Sequence, residues 1–279
     1  MGAHCIWRLP AAKRSLASEK EPGRELARML DISTEDPRAI SIVTAIHGGD
    51  IPSLEALFAK DRALATARIV DNRHVARSLL HILADWPGHR PESPRTVNVL
   101  VRYGTDVNAR VGHPDREEAA ETPLHWAASN DDVLLIDALL DAGADIEANG
   151  AIFTGGTPMS DAVVFGQWNA ARRLLARGAR TTFWQASALG LLEEVQARFG
   201  QGATPSSEEI TNAFWNACRG GQRHVAEYLL ERGADRNWVG HDDQTPLQVA
   251  QESGNEDLIA WLRSQGASLR ESMSQPRHQ

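Results

Sequence analysis

A unit of roughly 33 residues repeats along this chain, and that periodicity constrains the fold more than any other feature. Thr122-Pro123-Leu124-His125 recurs as Thr157-Pro158-Met159-Ser160 and as Thr245-Pro246-Leu247-Gln248. Gly143-Ala144-Asp145 is echoed by Gly104-Thr105-Asp106, Gly178-Ala179-Arg180, Gly202-Ala203-Thr204, Gly233-Ala234-Asp235 and Gly266-Ala267-Ser268. Anchored on the Thr position, the units start near Ile40, Ser78, Thr122, Thr157, Thr181, Asn212 and Thr245, with steps of 38, 44, 35, 24, 31 and 33 residues. A chain written this way stacks one small helical unit on the next. Each unit buries its apolar face only against its neighbours.

Every marker has a mechanical reason. Residues 121–149 hold two short helical patterns, 124–129 and 133–140, followed by Gly-Ala-Asp. Thr at the helix start caps free backbone N–H groups, and Pro at the first helical position costs no hydrogen bond. Ala127 and Ala128 let neighbouring helices approach closely, while Leu139/Leu140, Leu174/Leu175 and Leu229/Leu230 supply the stripe that packs on the next unit. Gly143 accepts a left-handed conformation after the second helix. These markers at this period resemble the ankyrin-repeat family, over residues 38–269, with repeats one and five placed chiefly by helical apolar spacing. The resemblance implies an all-α solenoid of about seven stacked helix-turn-helix repeats with short hairpin fingers. It also implies a protein partner held by the fingers and the concave groove.

The bulk numbers narrow the function. Of 279 residues 42% are hydrophobic and 24% charged, normal for a folded chain, and the net charge is −8. That sign argues against a nucleic-acid partner, which needs a basic stripe to release counterions, and against docking on an anionic membrane. Cys5 and Cys218 make neither a disulfide framework nor a zinc pair, so a reducing, cytoplasmic setting is expected. No secretory signal or membrane-spanning run is visible. Three segments are expected: 1–37 as an extension whose helical pattern at 24–30 caps repeat one, 38–271 as the repeat array, and 272–279 as a tail.

Departures from the repeat point to candidate sites. Repeat two is interrupted by Trp86-Pro87-Gly88-His89-Arg90-Pro91-Glu92-Ser93-Pro94, whose prolines make a stiff loop rather than a longer helix. An extension at 110–120 lengthens the finger before repeat three. The 24-residue step between repeats four and five leaves no room for a finger, so the groove is more open there. Four residues beyond each anchor lie Thr44, Ile82, Trp126, Asp161, Gln185, Asn216 and Val249. The consecutive polar members, Asp161, Gln185 and Asn216, could share hydrogen bonds across the roughly 8–10 Å between adjacent helices. Beside them run His125, Trp126, Trp184 and Trp215, giving the apolar walls and fixed polar groups of a small pocket. The same residues serve equally well to fill core and satisfy backbone in a helix stack.

Catalytic chemistry finds little footing. His81-x-x-x-Asp85-x-x-x-His89 has ligand spacing for one helix face, but Pro87 and Gly88 break the helix, and His81 holds the place of the family's Thr-Pro-Leu-His histidine. Dinucleotide, phosphate-loop, zinc-protease and nucleophile-elbow motifs are missing, so neither a metal nor a cofactor is expected. Cys218 occupies a small buried position, and Asp161 with His125 is the acid–base pair to test. The first reading is a non-enzymatic interaction scaffold for a protein partner not identified by the sequence. Its contacts would be Trp86, His89, Trp126, Asn130, Phe165, Gln167, Trp184, Trp215, Arg219 and His241. The alternative is a small-molecule or peptide receptor, with or without weak hydrolysis, centred on Asp161, Gln185 and Asn216.

Overall fold

The computed structural model describes residues 30–114, 120–200 and 204–270. Over these residues fourteen α-helices pair into seven units. Repeat one is α1 (Pro37–Gly48) with α2 (Ile51–Lys60), repeat two α3 (Leu79–Ala84) with α4 (Ser93–Arg102), and repeat three α5 (Pro123–Ser129) with α6 (Val133–Asp141). Repeat four is α7 (Pro158–Val164) with α8 (Trp168–Ala176), and repeat five α9 (Phe183–Leu189) with α10 (Leu192–Gly200). Repeats six and seven are α11 (Ser207–Arg219) with α12 (Arg223–Leu230) and α13 (Pro246–Ser253) with α14 (Glu256–Ser264). This is the all-α repeat solenoid that the periodicity implies. From repeat three onward the first helices lie closer to one another than the second helices do, so the stack curves with the first helices inside.

The starts of the first helices are fixed by a recurring device. In α5 the Thr122 N–H donates to His125 Nδ1 at 3.1 Å, and the same ring reaches the Gly156 carbonyl of the following finger through Nε2 at 3.2 Å. Gln185 and Gln248 do the first half of this job in α9 and α13, each Oε1 accepting the cap residue's N–H, at 2.8 and 2.9 Å. Glu209 does so for Ser206 in α11. Orphan N–H groups at the helix start are thereby satisfied without solvent. Between the helices of a repeat the chain enters the left-handed region, at Gly166 with φ 69° but at Asp131 with φ 56°. An aspartate is tolerated there because its carboxylate accepts from Ala170 N and Asn169 Nδ2, both at 2.7 Å, at the start of α8.

A three-stranded sheet at the first end is the feature that the periodicity does not announce. The finger between repeats one and two is a true hairpin, β2 (Arg68–Val70) antiparallel to β3 (Ala76–Ser78), and β1 (Asp31–Ser33) lies parallel to β2. Arg68 locks β1 through two bonds of 2.7 Å to Asp31. Leu30, the one described residue of the expected capping helix, is not helical and packs against the core. The rest of that pattern, 24–29, and the tail from 272 lie outside the described residues. The fingers are uneven further along. α8 ends at Ala176 and α9 starts at Phe183, and α10 ends at Gly200 with α11 starting at Ser207, so two successive junctions are short. Among the described residues no helix is long and apolar enough to cross a membrane.

Candidate functional site

The inner, first-helix surface of repeats three to five holds most of the polar residues singled out by the repeat pattern, and each has a partner of its own. Asp161 is 1% exposed and hydrogen-bonds Glu121. Burial first, then the charge and hydrogen bond of Glu121, push its carboxyl far above the ordinary range, to about 9. Its Oδ2 is buried without a hydrogen-bond partner. Trp126 donates Nε1–H to Glu121 Oε2 at 3.0 Å, so one glutamate ties the indole to the aspartate. Gln185 Nε2 donates to Ser160 Oγ at 3.0 Å, and Asn216 Nδ2 to the carbonyl and side chain of Asn212 at 2.9 and 3.2 Å. Asp161, Gln185 and Asn216 therefore satisfy separate groups rather than bonding as a column. The reason is register. α9 is capped by Thr182, one residue later than the periodic anchor Thr181, so Gln185 takes the capping position that His125 holds in α5.

His125 and Asp161 are also not a couple. Both nitrogens of His125 are engaged, at Thr122 and at Gly156 O, and Asp161 turns to Glu121. The other candidate ligand set is dispersed too. His81 bonds Ser78 Oγ at 2.8 Å and Glu121 O at 3.1 Å, Asp85 pairs with Arg77 at 3.2 Å, and His89 Nε2 reaches Asn130 O at 3.0 Å. Among the described residues no group of three or more His, Cys, Asp or Glu side chains is placed to hold a metal ion. Cys218 is buried and free, its thiol pushed up by burial, which keeps the nucleophilic thiolate out of reach at neutral pH. Clefts of about 550 Å³, around Arg68 and Arg110, and about 250 Å³, around Gln222 and Asn255, lie away from the polar residues of the inner face.

Several candidate contact residues turn out to stitch neighbouring repeats together. Asn130 Nδ2 donates to Ala84 O at 2.8 Å, Gln167 Nε2 to Ser129 O at 2.9 Å, and Asn255 repeats the pattern onto Gly221 O at 2.9 Å. His89 joins the same seam, its N–H on Asp132 Oδ2 at 2.7 Å. Arg219, at the end of α11, donates to the carbonyls of Val163 and Val164 and lies over the Trp168 ring. Trp215 is 3% exposed and donates Nε1–H to Gln244 O at 2.9 Å, with the exposed His241 edge-on at 5.3 Å. Trp184 is half-buried at the rim of the core. Removing the Asn130 stitch should cost about 1–2 kcal/mol, since Ala84 O loses its donor. Asn130→Ala is expected to lower the urea midpoint by that loss divided by the m-value, with the m-value unchanged, and an unchanged midpoint would refute it.

Several large apolar side chains remain open to a visitor. Trp86 is 80% exposed at the tip of its loop, and Phe165, the residue after α7, is 43% exposed. Phe165 is met edge-on by Phe153, 46% exposed, from the finger before α7, with ring centroids 5.7 Å apart. Ile152 is exposed beside Phe153 in that finger. Phe153 and Glu121 are the residues that the repeat pattern did not single out. An apolar Ile152-Phe153 pair set among glycines in a finger was a readable signal for the first. Nothing in the sequence marked the second.

The chain matches a family model described as ankyrin repeats (three copies) twice, over residues 80–183 and 183–272. An ankyrin repeat and KH domain-containing protein of Caenorhabditis briggsae is 28% identical over 184 residues, 63% of this chain and 7% of that protein. The ankyrin repeat and KH domain-containing protein mask-1 of Caenorhabditis elegans is 28% identical over 196 residues, 70% of this chain and 6% of its own length. A transient receptor potential cation channel subfamily A member 1 homolog of Caenorhabditis elegans is 28% identical over 178 residues, 63% of this chain and 13% of its own length. The chain thus spans a small part of each of these relatives. Among solved structures, the human ASB11 ankyrin repeat domain is 24% identical and covers 53% of this chain and 71% of its own, with a TM-score of 0.32. With the family model covering residues 80–272 and the capped helix pairs stacked as described, the chain belongs to the ankyrin-repeat family.

Proposed function

We propose that the protein is a non-enzymatic interaction scaffold that seats a protein partner against its inner face at repeat four, with Phe153 and Phe165 as the anchors. Ankyrin repeats are in general protein–protein interaction modules. The observation that carries the reading is the exposed edge-to-face pair itself. Two large rings left in water on a finger and on the helix end behind it cost free energy in the unbound chain, which a partner's apolar side chain recovers. The pair belongs to the repeat before the first of the two short junctions, so a partner meets little obstruction on that side. Trp86 offers a second, separate anchor on the loop of repeat two.

Phe153→Ser with Phe165→Ser should weaken capture of the partner by about 100-fold or more, because central aromatic anchors each carry about 2 kcal/mol. Both rings are solvent-facing, so helicity and melting temperature should stay near those of the parent. The measurement is quantitative mass spectrometry of proteins retained from native lysate by parent and double variant. Proteins held equally by both would refute this surface. The small-molecule reading predicts instead that a metabolite screen raises the melting temperature of the parent and that Asp161→Asn abolishes the response.

A further inference from the structure

Repeat five is joined unevenly to its neighbours: α9 packs closely along α11 of repeat six but only sparsely on α7 and α8 of repeat four. Its first helix buries Gln185, Ala186, Ser187 and Ala188, without one large apolar side chain among them, and α10 buries only Val195. α5, α7, α11 and α13 each bury at least one leucine, methionine, isoleucine, phenylalanine or valine. The apolar core accordingly falls into two parts, one running from Ile32 to Ala188 and the other from Ala186 to Ala267. The second helices α8 and α10 also lie apart at this place, in contrast to α6 and α8 one repeat earlier. The short junction at 177–182 leaves polar links here, among them Arg180 N–H to Glu147 at 2.7 Å and Thr181 Oγ1 to Glu194 at 2.6 Å, in place of a full finger. In a repeat array stability is a sum of neighbour interfaces, so the interface burying least apolar surface opens first.

One residue spans this weak place. Arg219 belongs to repeat six, yet its acceptors, Val163 O and, at 2.8 Å, Val164 O, belong to repeat four. They are the last two carbonyls of α7, beyond its regular ladder, and Val163 O also accepts the Gly166 N–H at 3.1 Å. The reach over repeat five is possible because α11 lies directly against α9. A Cβ on Gly220 would sit 2.0 Å from Ala188 O, closer than any side chain allows. The guanidinium is largely enclosed, lies over the Trp168 ring at 5.7 Å, and is held by carbonyls rather than by a carboxylate. Burial pulls its pKa below the ordinary arginine value, while Asp242 and Glu252 oppose that shift from a distance.

We infer that the interface between repeats four and five is a compliant joint between two firmly packed half-stacks and that Arg219, which crosses it, is the latch holding it closed. The latch fixes the angle between the halves, and with it the curvature of the inner face, whatever occupies that face. Breaking it leaves both halves folded on their own cores and lets the angle vary.

The test uses the full chain with Cys5→Ser and spin labels at Arg95→Cys in repeat two and Glu256→Cys in repeat seven, both exposed. The distance distribution should be narrow in the parent and broaden roughly twofold or more with Arg219→Ala, as for a freed hinge. Hydrogen exchange should be fastest in α9 and α10 among the fourteen helices of the parent. In Arg219→Ala it should accelerate about tenfold there while α1–α4 stay within about twofold. Arg219→Met keeps the apolar stem without the bonds and should behave likewise. An unchanged distance distribution, or equal acceleration in all repeats, overturns the inference. Should both variants fold poorly, the parent decides: α9 and α10 protected as well as α5 and α11 overturns it too.

Discussion

His125→Ala is expected to be among the most damaging single substitutions in the chain, lowering stability by about 3 kcal/mol or more. The ring is fully buried and joins three things at once. It closes the start of α5 by accepting the Thr122 N–H, meets the Thr122 hydroxyl, and reaches the next finger at Gly156 O. Alanine leaves the buried Thr122 N–H without an acceptor and opens a cavity beside it. His125→Gln should recover a large part of the loss, because Gln185 and Gln248 cap their own helices through the amide oxygen at the same position. Chemical denaturation of the two variants checks this, and an alanine variant no less stable than the glutamine variant would contradict the capping account. His81→Ala should follow the same order, since His81 links Ser78 to Glu121 O.

The second large effect is on acid stability. Burial, as the leading cause, lowers the pKa of His81 and of His125 from 6.5 to about 4. In the unfolded chain both titrate near 6.5, so the native state is favoured fully above that pH. The advantage is lost as pH falls from about 6.5 through about 4, on the order of 3 kcal/mol for each histidine. Asp161 has the opposite sign. Its raised pKa means the native state keeps a proton that the unfolded chain gives up. That contribution is full below the ordinary carboxylate pKa of 3.8 and is lost as pH rises towards about 9.

Near pH 5 the two histidines therefore take up about two protons on unfolding and Asp161 releases about one. Wild-type stability should rise from acid, peak between about pH 6 and 7, and decline into alkali. Asp161→Asn should steepen the acid limb roughly twofold and flatten the alkaline one. Thermal melts at constant ionic strength from pH 4.5 to 9 measure both limbs. An Asp161→Asn profile parallel to that of the parent would show that the carboxyl is ionised in the folded chain.

Much of this architecture could be read directly from residues a few positions apart. Thr-Pro set the starts of α5, α7 and α13, and the short step after Gly178 foretold the missing finger. The functional face was less legible. Trp86 and Phe165 stood out and are exposed, whereas Asn130, Gln167 and Arg219, singled out on the same grounds, are spent on holding repeats together. Their acceptors lie 46, 38 and 55 positions away, beyond the reach of any local pattern.

By itself, then, the amino-acid order determined the helices, their number and their pairing, because capping, turn geometry and apolar spacing act within about one or two helical turns. Tertiary structure alone decided which polar groups meet. A one-residue slip in the start of α9 turns each side chain by about 100° on a helix of 3.6 residues per turn. That slip sends Gln185 to Thr182 and Ser160 instead of into a shared column. The pairing of Asp161 with Glu121, of Phe153 with Phe165, and of Arg219 with α7 each depends on how far neighbouring helices are offset. Offsets of that kind are set by close packing across the stack, and no stretch of sequence contains them.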